Sequence, residues 1–382
     1  MIKNFTAVGV FDRACDLFEG QYKVPNGISY NSYLIDDEKC AVMDSVDARY
    51  SDEWLMNIDK ELSGRAPDYL IVQHMEPDHS GSIGYFMAKY PECTVVLSAK
   101  AEKMLASFHP GLTEFKKLIV GEGDKLTLGE HTLTFITAPM VHWPEVIVTY
   151  DESTGVLFSA DAFGRFGSAD ESDPWADEAR RYYIGIVGKY GAQVQALFKK
   201  LAGLAISTIA PLHGPVLTKE LDYYLSLYNT WSSYSPEDDG TLIAYASIYG
   251  GTARAAEELA AIIAEKTGKS PKVIDLARCD KHEAIACAFK YKSIVLAASS
   301  YNAGVFPPMR EFIASLTERN FRGRKVGLIE NGSWAPTAAK AMREMLADAK
   351  DLDFCETTVK IQSVLNADAR LALSMLADEI LK

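Results

Sequence analysis

Residues 73–80 bring four candidate metal ligands together in one short segment. The segment reads QHMEPDHS and follows the apolar run Tyr69–Val72, which we predict to be a β-strand. A loop at the end of a strand can direct all four side chains into one pocket. Their nitrogen and oxygen donors suit iron, manganese or zinc. So short a loop cannot bring all four ligands to one ion, and we therefore predict two ions in a shared site. The alternative is a solvated polar loop that binds no metal. The four ligands are His74, Glu76, Asp78 and His79.

Three further candidate ligands each lie in a short turn just past an apolar run, where a scaffold displays functional side chains. They are His142 in APMVHWPE, Asp161 in LFSADAFG and His213 in TIAPLHGP. A single histidine in such a turn is more often structural, but three such residues together with the loop favour a metal site. The three remaining histidines lie in polar surroundings, and we predict them to be surface residues: His109, His131 and His282.

The first half of the chain mixes antiparallel strand pairs with helices. Strands are predicted within 28–46 and at 69–72, 94–98, 124–128, 132–138, 146–149, 156–159 and 204–210, with helices at 51–63, 82–89 and 99–108. This mixture predicts an α+β or layered αββα domain, because a regular βαβ alternation is missing.

The second half has a different pattern. A helix at 221–231 precedes a predicted polar linker at 232–240, SSYSPEDDG. Strands predicted at 241–247, 272–276, 293–298, 325–330 and 357–361 then alternate with helices near 253–266, 281–290, 308–318, 336–349 and 366–381. This alternation predicts an α/β fold with a doubly wound parallel sheet. We therefore divide the chain into domains 1–235 and 240–382.

Three loops follow strands of this predicted sheet, at the edge where such sheets bind ligands. The first, 247–252 (SIYGGT), opens onto a helix, so its hydroxyl and backbone N–H groups form an anion cradle. A tight turn without a ligand is the alternative. The loops 299–304 (SSYNAG) and 331–334 (NGSW) each carry an aromatic residue that can stack on a flat ring. Core packing is the alternative for Tyr301 and Trp334.

The composition excludes several classes of function. A formal net charge of −13 argues against a nucleic-acid partner. No window approaches the ~20 apolar residues of a membrane span, and the first residues lack the plan of a signal peptide. The six cysteines include no CxxC pair, which excludes a rubredoxin-type site within this sequence. We expect a soluble, cytoplasmic protein that binds neither nucleic acid nor membranes.

The seven candidate ligands resemble the diiron signature of the flavodiiron proteins, also called A-type flavoproteins. The motif HxExDH is followed by His142 after 62 residues, Asp161 after 18 more and His213 after 51 more. The resemblance implies an N-terminal metallo-β-lactamase-like αββα domain with two non-haem iron ions. It implies that one iron is bound by His74, Glu76 and His142, the other by Asp78, His79 and His213, and that Asp161 bridges them.

One position separates this signature from zinc enzymes of the same fold, which resemble HxHxDH. Here Glu76 replaces the second histidine and adds a negative charge and a hard oxygen donor, which favours iron. A dinuclear zinc hydrolase fused to a flavodoxin domain is the alternative.

The second half resembles flavodoxin and, more closely, the FMN domain of the flavodiiron proteins, so FMN is the second implied cofactor. Two departures concern the ring contacts: Ala297-Ala-Ser-Ser300 stands where family members commonly have Gly-Ser-Pro-Thr, and Tyr249 where many have Trp. The residues assigned to FMN are Ser247, Ile248, Tyr249, Gly250, Gly251 and Thr252 in the first loop, Ser299, Ser300, Tyr301, Asn302, Ala303 and Gly304 in the second, and Asn331, Gly332, Ser333 and Trp334 in the third.

The resemblance implies an oxidoreductase that reduces dioxygen to water, nitric oxide to nitrous oxide, or both. We expect oxygen reduction with nitric oxide activity alongside; a predominantly nitric oxide reductase is the alternative. A protein of this family that only transfers electrons would have lost some of the metal ligands, but all seven ligand positions carry a suitable residue here. The implied electron donor is a separate rubredoxin or a reduced deazaflavin, and the implied assembly is a head-to-tail homodimer or a dimer of such dimers.

Overall fold

The first unit, Met1–Asn229, is built on two β-sheets. The computed structural model describes residues 5–170 and 174–382. The strands of this unit are β1 (Thr6–Ala7), β2 (Val10–Asp12), β3 (Leu17–Phe18), β4 (Tyr22–Lys23), β5 (Ile28–Tyr30), β6 (Tyr33–Ile35), β7 (Ala41–Met43), β8 (Tyr69–Val72), β9 (Thr94–Ser98), β10 (Lys116–Val120), β11 (Lys125–Thr127), β12 (Thr132–Thr137), β13 (Ile147–Asp151), β14 (Val156–Phe158) and β15 (Thr208–Ala210).

The two sheets have different strand directions. A six-stranded sheet runs in the order β1-β6-β7-β8-β9-β10, with β7 to β10 parallel. A five-stranded sheet runs β11-β12-β13-β14-β15 and is antiparallel except for the last pair. Two small pairs, β2-β5 and β3-β4, lie outside both sheets.

The alternation of side chains along β8 shows why the sheets stack. Ile71 faces the five-stranded sheet and packs in one cluster with Phe135 and Phe158. Its neighbours Leu70 and Val72 point to the opposite face, where Trp54 and Phe86 cover them. Successive residues of a strand point to opposite faces, so a fully apolar strand requires cover on both sides. The predicted layered αββα fold is therefore confirmed.

The helices of this unit are α1 (Ser51–Leu62), α2 (Pro77–Ser80), α3 (Ile83–Lys89), α4 (Ala99–Phe108), α5 (Trp175–Tyr182), α6 (Gly191–Leu201) and α7 (Leu221–Ser232). The chain divides between Asn229 and Thr230, inside α7. The domain boundary predicted near 235–240 stays a prediction. The helix predicted before it, at 221–231, is present as α7. In the described part of the chain, no helix combines the length and apolar character that crossing a membrane requires.

The second unit, Thr230–Lys382, contains a parallel sheet in the order β17-β16-β18-β20-β21. Numbered within the unit, this is the order 2-1-3-4-5 of flavodoxin-like folds, and the predicted doubly wound sheet is confirmed. Its strands are β16 (Asp238–Ala246), β17 (Lys272–Asp275), β18 (Tyr291–Tyr301), the short antiparallel β19 (Gly304–Val305), β20 (Lys325–Asn331) and β21 (Asp353–Ile361). Its helices are α8 (Gly251–Thr267), α9 (Lys281–Lys290), α10 (Pro307–Glu318), α11 (Ala338–Met345) and α12 (Ala367–Ile380).

The predicted linker at 232–240 is partly wrong, because β16 begins at Asp238. Asp238 and Asp239 are exposed, and a register shift separates the pairing of Asp238 with Tyr291 from the regular ladder that begins at Thr241. A strand end that extends beyond the core carries polar residues and therefore lacks the hydrophobic signal of a strand.

His131 is a second correction, because it is buried and not a surface residue. Its side chain is almost fully enclosed, and Nδ1 lies 2.7 Å from Oδ2 of the equally buried Asp151. The other two histidines expected at the surface, His109 and His282, are half-buried.

Replacing His131 with Ala is expected to lower the free energy of unfolding by about 2–3 kcal/mol at neutral pH. The substitution leaves the buried Asp151 carboxylate with fewer partners. Denaturant unfolding monitored by circular dichroism measures the change, and Glu130→Ala, at the exposed neighbouring position, is the control.

The pH dependence provides a second check on the same pair. Burial opposes ionisation of Asp151, but the bonds from His131 and Thr154 outweigh it and lower the pKa of that carboxyl. Stability from a lowered carboxyl pKa is present above the unfolded-state value of about 3.9 and is lost as the pH falls through the folded value. The difference between wild type and His131→Ala should therefore shrink below about pH 4; a difference that grows there would contradict the assignment.

Candidate metal centre and flavin site

The metal loop is held in place by a buried carboxylate at the end of the neighbouring strand. Asp44 follows β7 and is fully enclosed, with a φ of 55°. Its Oδ1 accepts hydrogen bonds from the backbone N–H of Gln73 (2.7 Å) and of His74 (3.3 Å). Its Oδ2 accepts one from Nε2 of Gln73 (2.9 Å). These bonds hold the chain in place where it leaves β8. Glu76 then precedes the short helix α2, which begins at Pro77 and carries Asp78 and His79.

Four of the predicted ligands form a first cluster, in which the ligand atoms lie within 4.8 Å of one another. Nε2 of His142 lies 3.0 Å from Oε2 of Glu76 and 3.0 Å from Oδ2 of Asp161. Nε2 of His74 lies 3.2 Å from the same Glu76 oxygen and 3.3 Å from the same Asp161 oxygen.

The other three predicted ligands form a second cluster. Nε2 of His79 lies 3.0 Å from Nε2 of His213, and both nitrogens lie 3.3 Å from Oδ2 of Asp78. The second oxygen of Asp161, Oδ1, lies 3.2 Å from Nε2 of His79 and 3.8 Å from that of His213. Asp161 therefore directs one oxygen to each cluster, which is the arrangement of a bridging carboxylate.

The chemistry of these residues fits two bound cations. Asp161 is about 1% exposed and Asp78 about 8%, yet none of their four carboxylate oxygens has a hydrogen-bond partner in the described part of the chain. Buried carboxylates without partners are costly unless a cation neutralises them. Oxygens of Asp161 and Asp78 lie 3.0–3.3 Å from the imidazole nitrogens of His142, His74 and His79, so each cluster could hold a cation between its donor atoms.

The electrostatics of the first cluster point the same way. Burial disfavours the charged forms, but contacts with His142 and His74 lower the pKa of Glu76 to about 2. Contacts with Asp161 and Glu76 likewise outweigh burial and raise the pKa of His142 to about 9. Protons compete with metal ions for these imidazoles, so metal binding should strengthen as the pH rises.

A residue that the sequence analysis missed orients His74. Glu145 is buried, and its Oε1 lies 2.8 Å from Nδ1 of His74 and accepts a bond from the backbone N–H of Met75 (2.9 Å). A proton on Nδ1 leaves the lone pair of Nε2 facing the cluster. His213 is oriented in the same way by the carbonyl oxygen of Ser29 at 2.7 Å. Glu145 could have been found from the sequence, because it is an acidic residue in HWPE, directly before an apolar run.

Replacing Glu145 with Gln is expected to weaken metal binding about 10–100-fold. Gln keeps the size of the side chain but loses the charge that fixes the Nδ1 proton of His74. Metal analysis after equilibration with a graded series of chelator concentrations measures the change. Glu114→Gln, at an exposed position, is the control, and equal metal retention in both variants would contradict the assigned role.

Aromatic rings enclose the clusters. Phe18, Tyr30 and Tyr182 pack around the ring of His213, with ring centroids 5.4, 5.9 and 5.4 Å away. Trp143 meets His74 edge-on at 5.2 Å. These contacts restrict rotation of the imidazoles and keep water away from their faces.

The second unit has a cavity of about 440 Å³ at the carboxyl edge of its sheet, where all three predicted FMN loops meet. Tyr301 is 45% and Trp334 89% exposed, so neither is a core aromatic. Most of the predicted residues line the cavity, together with three that were missed: Ala335, Thr337 and Ser363. Four predicted residues are not in its lining: Ser247, Gly250, Thr252 and Gly304.

The first loop fits an anionic group. Gly250 occupies the N-cap position of α8 with a φ of 85° and has no side chain that could cap the helix. Its first N–H groups are therefore available for a phosphate. Behind them, Thr252 and Ser299 join the first and second loops, with their hydroxyl oxygens 3.0 Å apart.

Known protein families and sequences include relatives of this chain. A family model described as "ODP family beta lactamase" matches residues 28–214. The anaerobic nitric oxide reductase flavorubredoxin of Aliivibrio salmonicida is 30% identical over 359 residues, covering 91% of this chain and 71% of the relative. The Escherichia coli protein of the same name is 30% identical over 358 residues, covering 91% and 74%.

Solved structures match over nearly the whole chain. Rubredoxin oxygen:oxidoreductase from the anaerobe Desulfovibrio gigas superposes with a TM-score of 0.91 at 26% identity, covering 99% of this chain and 96% of that one. The flavodiiron protein of Giardia intestinalis has a TM-score of 0.87 at 24% identity, covering 98% and 93%, and at that identity it supports the fold alone.

Proposed function

The chain belongs to the flavodiiron proteins, and from this premise we propose that it reduces dioxygen to water and nitric oxide to nitrous oxide. Proteins of this family carry a non-haem diiron centre and FMN, and the clusters and loops described above fit both. The observation that carries the proposal is the position of Asp161, with one oxygen facing each of two ligand clusters. The names of the relatives support both gases as substrates.

We propose the ligand assignment on the same geometry. His74, Glu76 and His142 of the first cluster would hold one iron, Asp78, His79 and His213 of the second cluster would hold the other, and Asp161 would be shared by both. Three of the seven ligands are carboxylates, a donor set that favours iron over zinc.

Each part of the site has a separate task in this reaction. When bound, the iron pair and FMN supply the electrons, of which dioxygen takes four and a pair of nitric oxide molecules takes two. Asp161 is placed to hold both cations at once, and Glu145 keeps the proton on Nδ1 of His74 so that Nε2 can act as a ligand. The aromatic rings around His213 exclude water from one side of the site.

Dioxygen is the substrate that we propose as the principal one, with nitric oxide reduced alongside. The choice between them depends on polarity and proton delivery around the ligands, because the ligand set serves both reactions. For electrons we propose a rubredoxin-type protein or a reduced deazaflavin as donor, and the name of the Desulfovibrio gigas protein, rubredoxin oxygen:oxidoreductase, supports the first.

We further propose a head-to-tail homodimer, or a dimer of such dimers, in the cytoplasm. Such a dimer would bring the FMN of one subunit to the irons of the other, so turnover per chain should fall when the protein is diluted below its dissociation constant. Stopped-flow turnover over a dilution series, with gel filtration at each concentration, tests this. Full turnover from a monomer would contradict the arrangement.

The function itself is tested with anaerobic protein reduced to the diferrous and hydroquinone states. It is mixed separately with dioxygen and with nitric oxide, and turnover is followed over many cycles with a rubredoxin-type donor. Sustained oxygen consumption without peroxide, with slow or self-inactivating nitric oxide turnover, is the expected result. Fast nitrous oxide production with damage by oxygen would make nitric oxide the principal substrate. No turnover of either gas, with two zinc ions per chain, would overturn the proposal in favour of a hydrolase.

A further inference from the structure

Helix α11 begins directly behind the third FMN loop, and its N-terminus is capped from outside the helix. The first N–H groups of a helix have no partner within it. The residue at the N-cap position, Thr337, makes no side-chain cap of its own. Neighbouring strands supply the acceptors instead.

One acceptor comes from the second FMN loop. Oγ of Ser300 accepts hydrogen bonds from the backbone N–H of Thr337 (2.8 Å) and of Ala338 (3.2 Å). Thr337 returns a bond from its own hydroxyl to the carbonyl oxygen of Gly304 at 3.1 Å. The start of α11 is therefore attached to both ends of the loop 299–304.

The other acceptor is a buried carboxylate next to the third FMN loop. Glu330 is about 3% exposed, and its Oε2 accepts a bond of 3.0 Å from the backbone N–H of Ala339. The nearest cation, Nζ of Lys360, is 3.9 Å from its other oxygen and belongs to an exposed side chain. A carboxylate at a helix N-terminus is stabilised by the unpaired N–H groups there.

The position of Glu330 in the strand connects this cap to the flavin cavity. The next residue, Asn331, lines the cavity and exchanges two hydrogen bonds with the backbone of Ser363, while Glu330 bonds to α11. Successive strand residues point to opposite faces. One strand end thus fixes the flavin loop on one face and the helix that follows it on the other.

We propose that Glu330 and Ser300 are positioning residues for FMN, which cap α11 and thereby set the spacing between the loops 299–304 and 331–334. Glu330 is not in the lining of the flavin cavity, whereas Ser300 lines it and takes part in this role through the hydrogen bonds that it accepts from α11. The proposal rests on FMN binding, which belongs to the proposed function, and it holds whichever gas the enzyme reduces.

The test compares Glu330→Ala with Glu330→Gln in the full chain. FMN is removed, and its dissociation constant is measured by quenching of flavin fluorescence on titration. Ala removes the acceptor, so the dissociation constant should rise about tenfold. The amide oxygen of Gln can still accept the bond from Ala339, so this variant should stay within about threefold of wild type. Glu344→Ala, on the exposed side of the same helix, is the matched control and should leave the value unchanged.

Two further measurements keep the test decisive if Glu330→Ala folds poorly. Ser300→Ala removes the other cap and should also raise the dissociation constant several-fold. Amide exchange at residues 337–339 should accelerate in both Ala variants and remain slow in Glu330→Gln. Wild-type affinity in both Ala variants would overturn the proposal, and so would equal losses in Glu330→Gln and Glu330→Ala. Failure of the wild-type chain to bind FMN would instead count against the proposed function, and it would be seen before any variant is compared.

Discussion

Asp161→Asn is expected to lower turnover with either gas by about a thousandfold while FMN stays bound. Asp161 is about 1% exposed and directs one oxygen to each ligand cluster. The amide removes the charge that both cations would share in the proposed site and replaces one oxygen donor by an N–H₂ group. Loss of such a buried charged partner costs about 4 kcal/mol, which corresponds to the stated factor.

Metal content separates this effect from a general loss of structure. The variant should retain less than one iron per chain after gel filtration with chelator, whereas its flavin absorbance should match that of wild type. Asp52→Asn, at an exposed position in the first turn of α1, is the control and should keep both irons. Two irons per chain and turnover within tenfold of wild type would show that Asp161 is not the bridge.

Gly251→Ala is expected to weaken FMN binding by about a hundredfold and to leave iron binding intact. A Cβ at this position would lie 2.2 Å from the carbonyl oxygen of Ser363 and 2.8 Å from Nδ2 of Asn331. Both contacts belong to the wall of the flavin cavity, so the helix start and the third loop must separate. Overpacking of this kind costs about 1–3 kcal/mol, and the loops move away from the positions that bind the flavin.

A second glycine provides the control for this substitution. A Cβ at Gly111 would meet no atom within 4 Å, so Gly111→Ala should bind FMN like wild type. Flavin fluorescence titration gives the dissociation constants, and metal analysis should find two irons per chain in both variants. A Gly251→Ala protein purified with a full complement of FMN would contradict the close packing around this residue.

All seven predicted metal ligands lie in the two clusters, and each comes shortly after an apolar run of the sequence. Such a run is a local feature and is therefore visible in the sequence. The roles of these residues as ligands remain a proposal, but their convergence is a property of the structure. The flavin loops were predictable for the same reason, since each follows a strand of a parallel sheet and such strands end at one edge.

The residues that were missed or misjudged depend on partners far away in the chain. His131 lies in a polar turn, and its burial follows from the pairing of β12 with β13, which brings Asp151 to its side. Glu145 reaches His74 across 71 positions. Ser363 enters the flavin cavity only because β21 packs beside β20.

The amino-acid sequence was sufficient to predict the types of the ligands, their order along the chain and the two fold classes, because hydrophobic periodicity and turn residues act over a few neighbouring positions. The packing of the folded chain sets which oxygen of Asp161 faces which cluster, which carboxylate orients His74 and how Glu330 caps α11. Those contacts arise when burial of apolar faces brings separate strands together. The hydrogen-bond partner of a buried polar group is therefore set by the packing of the sheets and not by its neighbours in the chain.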